Sequence, residues 1–132
     1  MIYRCPYCKK SFRYWNALSQ HCTRKWLNKT YYKGKNERHE PLPSLTQGFL
    51  LLLLKYNGSI NLSRFHHSMK PLIHYSLSKL KIKKLIDDKG ITDKGSKLLD
   101  LFINLNLKAL NINEYDFLFY LIVYNKFNIW FR

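Results

Sequence analysis

Two cysteines and one histidine near the start of the chain constrain the fold more than any other feature. Cys5 and Cys8 are separated by two residues, and twelve residues separate Cys8 from His21. Two thiols at this spacing can bind one ion from a tight turn, while a histidine on a following helix binds it from the opposite side. Three apolar residues lie at intervals in the same stretch: Tyr3, Phe12 and Leu18. A unit this short buries too little surface to fold alone, so we expect metal binding to supply roughly 10 kcal/mol or more.

The stretch resembles a C2H2 zinc finger in three ligands and three core positions, through the pattern Y-x-C-x2-C-x3-F-x5-L-x2-H. The resemblance implies a ββα unit that binds Zn²⁺, with a hairpin over Tyr3–Lys10 and a helix from Tyr14 onward. It also implies that Tyr14, Ala17 and Gln20 face DNA bases. A redox pair or half of a disulfide would explain the two cysteines but not the spacing of the other residues. The alternative for Tyr14 and Trp15 is packing against a neighbouring domain.

The fourth ligand is where the chain departs from the finger pattern. The family places a second histidine about one helical turn after the first, but residues 25–27 are Lys, Trp and Leu. The remaining candidates are His39 and Cys22, which lies about 100° round the helix from His21. We expect Cys22 to bind only if the helix ends or distorts at His21, and we therefore favour His39. The predicted ligand set is Cys5, Cys8, His21 and His39. A solvated His39 and a site completed by water stay open as alternatives.

The charge of the chain predicts the kind of partner it meets. Lys and Arg number 23 against 8 Asp and Glu, which gives a net charge of +15. Such an excess favours a polyanion, with nucleic acid ahead of an anionic membrane surface. Residues 1–40 carry ten basic and two acidic side chains, residues 41–113 carry eleven and four, and residues 114–132 carry two and two. Two basic segments therefore precede a neutral tail.

Cysteine usage and hydropathy predict an intracellular protein. Three cysteines, two of them assigned to a metal, do not form a disulfide framework and favour a reducing, cytoplasmic environment. We find no signal-peptide pattern before the first ligand. The longest apolar runs, Phe49–Leu54 and Phe117–Tyr124, are shorter than the 18 or so residues that a membrane span requires. We therefore expect no membrane partner.

Turn residues and apolar periodicity divide the rest of the chain. The predicted segments are a finger at 1–30, a basic linker at 31–44, a helical module at 45–110 and an apolar helix at 111–132. Within the module, Ser44 is a predicted N-cap and Thr92 or Asp93 another. The predicted elements are a buried helix over Leu45–Tyr56, helices over Ser63–Met69, Leu72–Ile86 and Lys94–Leu105, and a hairpin over 85–92 with an Asp-Lys-Gly turn.

The helical module resembles the winged helix-turn-helix of MarR-like and ArsR-like bacterial and archaeal regulators. The resemblance rests on L-x-x-L-K-I-K-K-L-I-D-D-K-G-I-T-D-K-G-S-K-L-L, in which a recognition helix leads into a wing and the next helix opens with T-x-x-G. It implies that the helix from Leu72 to Lys84 enters the major groove. Winged helices also dock onto proteins. Carboxylates at Asp87 and Asp88 would meet phosphates unfavourably at the wing tip.

The two resemblances and the charge together predict a nucleic-acid surface. Arg24 and Lys25 continue the finger helix as phosphate contacts, and Lys89 lies at the wing tip. Tyr75, Ser78 and Lys79 lie nearest the bases, and Lys83 belongs to the same lysine cluster. The predicted surface comprises Tyr14, Ala17, Gln20, Arg24, Lys25, Tyr75, Ser78, Lys79, Lys83 and Lys89.

The tail after residue 110 is apolar on nearly all sides. It must be covered, either by the helix that contains Leu50 and Leu54 or by a second copy of the chain. In the winged-helix families the terminal helices commonly form the dimer, so we expect a homodimer. A helix lying on a membrane surface is a third possibility, disfavoured by the neutral charge of the tail.

These features predict a mainly α (α+β) protein that binds double-stranded DNA, contains Zn²⁺ and regulates transcription. Small proteins that pair one finger with a winged helix resemble those of archaeal viruses and plasmids, which implies a location inside a host cell. No acid and base pair or activated nucleophile is apparent, so we expect neither an enzyme nor a small-molecule substrate. The alternatives are a protein that docks on a host complex, such as RNA polymerase or a defence ribonucleoprotein, and an RNA-binding protein.

Overall fold

Five α-helices, one π-helical segment, three short 3₁₀ turns and two short hairpins make up the part of the chain that the computed structural model describes, residues 2–23 and 42–131. This mostly helical composition with two small antiparallel sheets confirms the predicted α+β class. The strands are β1 (Tyr3–Arg4), β2 (Ser11–Phe12), β3 (Ile86–Asp87) and β4 (Gly90–Ile91). The α-helices are α1 (Trp15–Cys22), α2 (Leu45–Asn57), α3 (Lys70–Ile82), α4 (Asp93–Leu110) and α5 (Glu114–Phe119), and a π-helical segment, Tyr120–Tyr124, follows α5 directly.

The first hairpin and α1 form one local unit. Tyr3 pairs with Phe12 across the antiparallel strands. Between them the chain turns tightly, and Lys9 adopts the left-handed conformation that the turn requires. The buried face of α1 carries Trp15, Leu18 and Cys22, at the i, i+3 and i+7 positions of an amphipathic helix. This face packs against the rest of the molecule.

Helix α2 is the central buried element that its leucine run predicts. The Ser44 hydroxyl caps its first turn by accepting a hydrogen bond from the Gln47 amide at 3.2 Å. Gly58 ends the helix in the left-handed conformation, with a φ of 77°. The stretch Phe49–Leu52 is entirely buried. A Cβ atom at Gly48 would overlap the ring of Phe102, so this glycine permits the close approach of α2 and α4.

The helix predicted over Ser63–Met69 is wrong. The structure has two 3₁₀ turns there, Leu62–Arg64 and His67–Met69. Phe65 separates them because it is extended and buried, and it forms an isolated β-bridge with Phe131 near the other end of the chain. The two rings stack with their centroids 4.8 Å apart. A tertiary contact therefore overrides the local helical pattern.

Helices α3 and α4 flank the second hairpin. Pro71 lies in the first turn of α3, where the missing amide hydrogen does no harm. Ile86 pairs with Ile91, and the turn between the strands requires Gly90 at a φ of 130°. Helix α4 continues beyond the predicted end at Leu105 because its buried apolar stripe continues to Ala109.

The single apolar helix predicted at 111–132 is also wrong. After α5 and the π-helical segment, Lys126 takes a left-handed conformation with a φ of 58°, and a 3₁₀ turn follows at Phe127–Trp130. This reversal places the Phe127 ring parallel to the ring of Phe49, with centroids 4.3 Å apart. The tail therefore covers α2 of its own chain, which is one of the two outcomes the sequence left open.

The buried side chains of the first hairpin unit and of the helical module form one hydrophobic cluster. The Trp15 ring meets Phe102 edge to face, with centroids 5.2 Å apart, and its indole N–H donates to the Pro43 carbonyl at 3.0 Å. The hydroxyl groups of Tyr3 and Tyr120 are 2.9 Å apart and hydrogen bonded. The first hairpin and α1 are thus packed against the other helices, while the predicted division into segments stays a prediction.

Within residues 2–23 and 42–131, none of the helices combines the length and hydropathy needed to cross a membrane.

Candidate metal centre and nucleic-acid surface

The first hairpin and α1 bring Cys5, Cys8 and His21 together. One ligand atom from each residue lies within 4.8 Å of the other two. The Cys8 sulfur and the His21 Nε2 atom are 3.2 Å apart. Two cysteines and a histidine are a donor set that soft and borderline divalent metals favour. These three residues are therefore positioned to bind a metal ion.

Hydrogen bonds in the turn after β1 favour the thiolate form of Cys5. Burial raises the pKa of the Cys5 thiol, but hydrogen bonds from the Cys8 and Tyr7 amides lower it, and the net pKa lies below the ordinary value. The thiolate is the form of cysteine that binds metals. The Cys22 thiol differs, since burial first and its contact with Cys5 second raise its pKa well above the ordinary value.

The three apolar residues of the predicted pattern lie on the same hairpin and helix as this cluster. Tyr3 and Leu18 are buried, and Phe12 is half-buried with its ring centroid 5.0 Å from that of His21. The Tyr3 ring packs on Trp15 of α1, and its hydroxyl reaches Tyr120 in the π-helical segment. The small core of the first hairpin and α1 is therefore continuous with the core of the other helices.

The two candidates for a fourth ligand are His39 and Cys22, and the structure describes only Cys22. The predicted ligand His39 lies outside the described residues. Cys22 is fully buried, and its sulfur is 3.7 Å from that of Cys5. This approach needs no end of the helix at His21, because α1 includes Cys22 and Thr23 keeps helical dihedral angles. The identity of the fourth ligand stays a prediction.

Sequence reasoning missed the orientation of Cys22, although a signal for it was available. Trp15, Leu18 and Cys22 have the spacing of one buried helix face. His21 is adjacent to this face, and its longer side chain reaches Cys8 from there. Two neighbouring residues of one helix can therefore approach the same cluster from different sides.

The predicted base-facing residues of the finger are all exposed. Tyr14 is 68 % exposed, and Ala17 and Gln20 are exposed on the outer face of α1. The alternative of packing applies to Trp15, which is buried against Phe102, and not to Tyr14. Two further predicted phosphate contacts, Arg24 and Lys25, lie outside the described residues.

The predicted recognition residues of α3 lie together on its surface. Tyr75 is 61 % exposed and Ser78 is exposed one turn later. The Lys79 ammonium lies 5.4 Å from the centre of the Tyr75 ring, within the range of a cation–π contact. Lys83, just after the helix, is half-buried. The face therefore combines an aromatic ring, a hydroxyl and positive charge.

The hairpin that follows α3 engages both of its carboxylates within the chain. The Asp87 carboxylate accepts a hydrogen bond from the Lys89 amide at 2.8 Å, which fixes the turn. Asp88 forms an ion pair with Lys81 at 3.7 Å. The Lys89 side chain is exposed at the tip. Lys81, which the predicted surface did not include, therefore serves as the counter-ion of Asp88.

Thr92 and Gly95 attach this hairpin to α4. The Thr92 hydroxyl donates to the Lys84 carbonyl at 2.7 Å and accepts from the Gly95 amide at 3.1 Å. A Cβ atom at Gly95 would overlap the carbonyl oxygen of Leu85. The T-x-x-G pattern thus has a physical basis, because the threonine caps the helix and the glycine leaves room for the chain that enters the hairpin.

Comparison of the chain with family models, with curated proteins and with solved structures gives no match. Its function must therefore be inferred from its own residues.

Proposed function

We propose that the protein is an intracellular DNA-binding regulator of transcription whose recognition element is α3. The observation that carries the proposal is the charge of one short stretch. Residues 70–84 contain five lysines and no acidic residue. Exposed Tyr75 and Ser78 interrupt the positive charge on this helix. Lysines supply affinity for phosphates, and polar and aromatic side chains between them supply discrimination among bases.

The order of elements supports a winged-helix interpretation of this region. A buried helix, two short turns, an exposed helix, a hairpin and a capped helix follow one another from α2 to α4. In such a domain, α3 enters the major groove with Tyr75, Ser78 and Lys79 toward the bases. Lys83 and Lys89 then contact phosphates on either side. The ion pair of Asp88 with Lys81 limits the repulsion that the wing would meet.

The metal centre has a structural role in this proposal, and the ion is Zn²⁺. Zinc prefers the thiolate and imidazole donors that Cys5, Cys8 and His21 supply, and it binds them without redox chemistry. The ion would fix the hairpin against α1 and so orient Tyr14, Ala17 and Gln20 toward a second short stretch of bases.

We further propose that two copies of the chain bind one operator. The tail leaves one set of apolar side chains exposed after covering α2: Tyr115, Phe119, Ile122, Val123, Tyr124 and Ile129. Pairing of these surfaces between two copies would remove them from water and place two α3 helices on one pseudo-palindromic site. Sedimentation equilibrium of wild-type protein beside Tyr124→Lys tests this pairing. A monomeric wild-type protein would contradict it.

The salt dependence of DNA binding tests the principal proposal. Each phosphate contact lowers the slope of log affinity against log salt by about 0.9 on duplex DNA. Replacing Lys79 and Lys83 together by alanine should therefore make the slope shallower by up to about 1.8. The matched control replaces Lys97 and Lys108, two exposed lysines of α4, and should change the slope less. Fluorescence anisotropy with a random-sequence duplex at several salt concentrations measures both.

Two results would contradict DNA binding. Failure to bind duplex DNA even at low salt would favour a protein that docks on a protein partner. Tighter binding to single-stranded RNA than to duplex DNA would favour an RNA-binding protein. Equal slopes for the two double variants would show that α3 is not the recognition element.

A further inference from the structure

We infer that Cys22 is the fourth ligand of the metal centre, which would then have three sulfurs and one nitrogen. The inference rests on the proposed zinc site and departs from the ligand set predicted from the sequence. It begins with the 3.7 Å separation between the sulfurs of Cys5 and Cys22. Bond lengths of about 2.3 Å to sulfur in a tetrahedral zinc site place two sulfurs roughly 3.8 Å apart. The observed pair therefore has the separation that shared zinc ligands require.

The contact between Cys8 and His21 also fits a tetrahedral zinc site. A zinc-bound sulfur and a zinc-bound imidazole nitrogen lie roughly 3.5 Å apart, and Cys8 and His21 are 3.2 Å apart. Each edge of a tetrahedron has one opposite edge with which it shares no corner. The pairs Cys5 with Cys22 and Cys8 with His21 match two such edges, with one residue of each pair on the hairpin and one on α1.

Adjacent residues of α1 can serve both pairs because their side chains differ in length. The short Cys22 side chain points into the buried face of the helix, toward Cys5. The longer imidazole of His21 extends toward Cys8. The hairpin thus presents one sulfur to each of two neighbouring helix positions.

One adjustment is needed when the ion binds. The group of atoms within 4.8 Å of one another contains Cys5, Cys8 and His21 but not Cys22. The Cys22 sulfur must therefore move toward the other two ligands while it keeps its distance from Cys5. A change at a single side-chain torsion moves a cysteine sulfur, so α1 need not unwind.

Chain connectivity also favours Cys22 over His39. Cys22 is already beside the cluster, whereas His39 follows His21 by 18 positions in the sequence. Bringing such a residue back to the ion closes a loop, and loop closure carries an entropic cost that a preplaced ligand avoids. Cys22 would bind as its thiolate, because a zinc ion displaces the proton of a coordinating thiol even where burial raises the pKa in the metal-free chain. The competing role for Cys22 is that of a small apolar residue on the buried face of α1.

Counting the sulfurs around the bound ion separates these possibilities. X-ray absorption at the zinc edge resolves zinc–sulfur distances near 2.3 Å from zinc–nitrogen distances of about 2.0–2.1 Å. The chain has three cysteines, so a site with three sulfurs and one nitrogen in the full-length wild-type protein requires Cys22. That is the expected result.

The outcomes also distinguish this inference from the proposed zinc site. Two sulfurs with two nitrogen or oxygen ligands would overturn the role of Cys22 and leave zinc binding intact. Protein that binds no zinc when purified and then exposed to the ion would overturn both. Zinc binding without DNA binding would leave the ligand assignment standing and remove the proposed function.

Two variants test the assignment by affinity. Replacing Cys22 by valine keeps an apolar side chain on the buried face but removes the proposed ligand, and it should weaken zinc binding by more than about 100-fold, beyond the loss typical of an outer partner. Replacing His39 by alanine should leave the affinity within about 2-fold. Competition with a chromophoric chelator measures both, and the opposite ranking would overturn the inference. If the valine variant fails to fold, the sulfur count of the wild-type protein decides.

Discussion

The molecule contains two hairpin–helix units of similar outline that are held together by different means. In each, two-residue strands pair and the chain then enters a helix, α1 in the first unit and α4 in the second. The first helix has no side-chain cap at Tyr14. The second helix begins after Thr92, whose hydroxyl caps it by accepting a hydrogen bond from the Gly95 amide. The first unit instead has the candidate metal-ligand cluster of Cys5, Cys8 and His21.

Because the two units are stabilised by different interactions, different substitutions should destabilise them. Hydrogen bonds and a close backbone approach stabilise the second unit from its own residues. We expect the first unit to depend instead on an ion bound by Cys5, Cys8 and His21, because these side chains without an ion offer little to offset the ordering of the turn. The two units should therefore respond to different perturbations.

Loss of a metal ligand should have the largest effect and should be confined to the first unit. Cys8 is exposed, so Cys8→Ala removes a ligand without opening a cavity. We expect zinc affinity to fall by more than about 100-fold, since losing a direct ligand costs more than losing an outer partner. Hydrogen exchange should then accelerate at the Cys5 and Lys9 amides, which close the turn, and not at the Thr92 amide of the second unit. Equal acceleration of exchange at all three amides would show that the two units are not stabilised independently.

An added methyl group at Gly95 in the second unit should have the next largest effect, a loss of folding stability. Gly95→Ala places a methyl group against the Leu85 carbonyl, and overpacking of this kind costs typically 1–3 kcal/mol. Urea unfolding measures the loss, and zinc affinity should stay unchanged. Ser96→Ala, at the exposed neighbouring position, is the matched control and should have little effect. If Gly95→Ala left the free energy of unfolding unchanged, the contact between position 95 and the Leu85 carbonyl would not be tight.

Removal of the threonine cap should have the smallest effect of the three. Thr92→Ala deletes both hydrogen bonds of the hydroxyl, and loss of an N-cap costs typically about 1 kcal/mol. Thr92→Ser retains the hydroxyl and should recover most of the stability. Thermal unfolding compares the two variants. If serine is no better than alanine, the cap does not stabilise the second unit.

Features set by neighbours in the sequence could be predicted, because a few adjacent residues determine them. Ser44 caps α2 as expected, and Gly58 ends it one residue after the predicted helix, since a hydroxyl cap and a left-handed glycine act within one turn. The hairpin of residues 85–92 follows from its Asp-Lys-Gly turn in the same way. The grouping of Cys5, Cys8 and His21 is local as well, because one hairpin and one helix suffice to form it.

Features set by distant contacts could not be predicted. Phe65 leaves the helical pattern because Phe131 packs on it, and no residue near Phe65 signals that contact. The tail turns at Lys126, although lysine is not a usual marker of a left-handed turn. Its partner Phe49 lies far away in the sequence. Uniformly apolar composition shows that the tail must be covered but not by which residues.

The hydrogen bond between Tyr3 and Tyr120 joins positions 117 residues apart, and this separation has a consequence for synthesis on the ribosome. The hairpin with its cysteines emerges early, long before the tyrosine that covers it has been translated. Residues 5–21 suffice to bring the three candidate ligands together, whereas the aromatic cover requires translation to pass Tyr120. A nascent chain that binds an ion at these ligands would thus acquire it before its final packing.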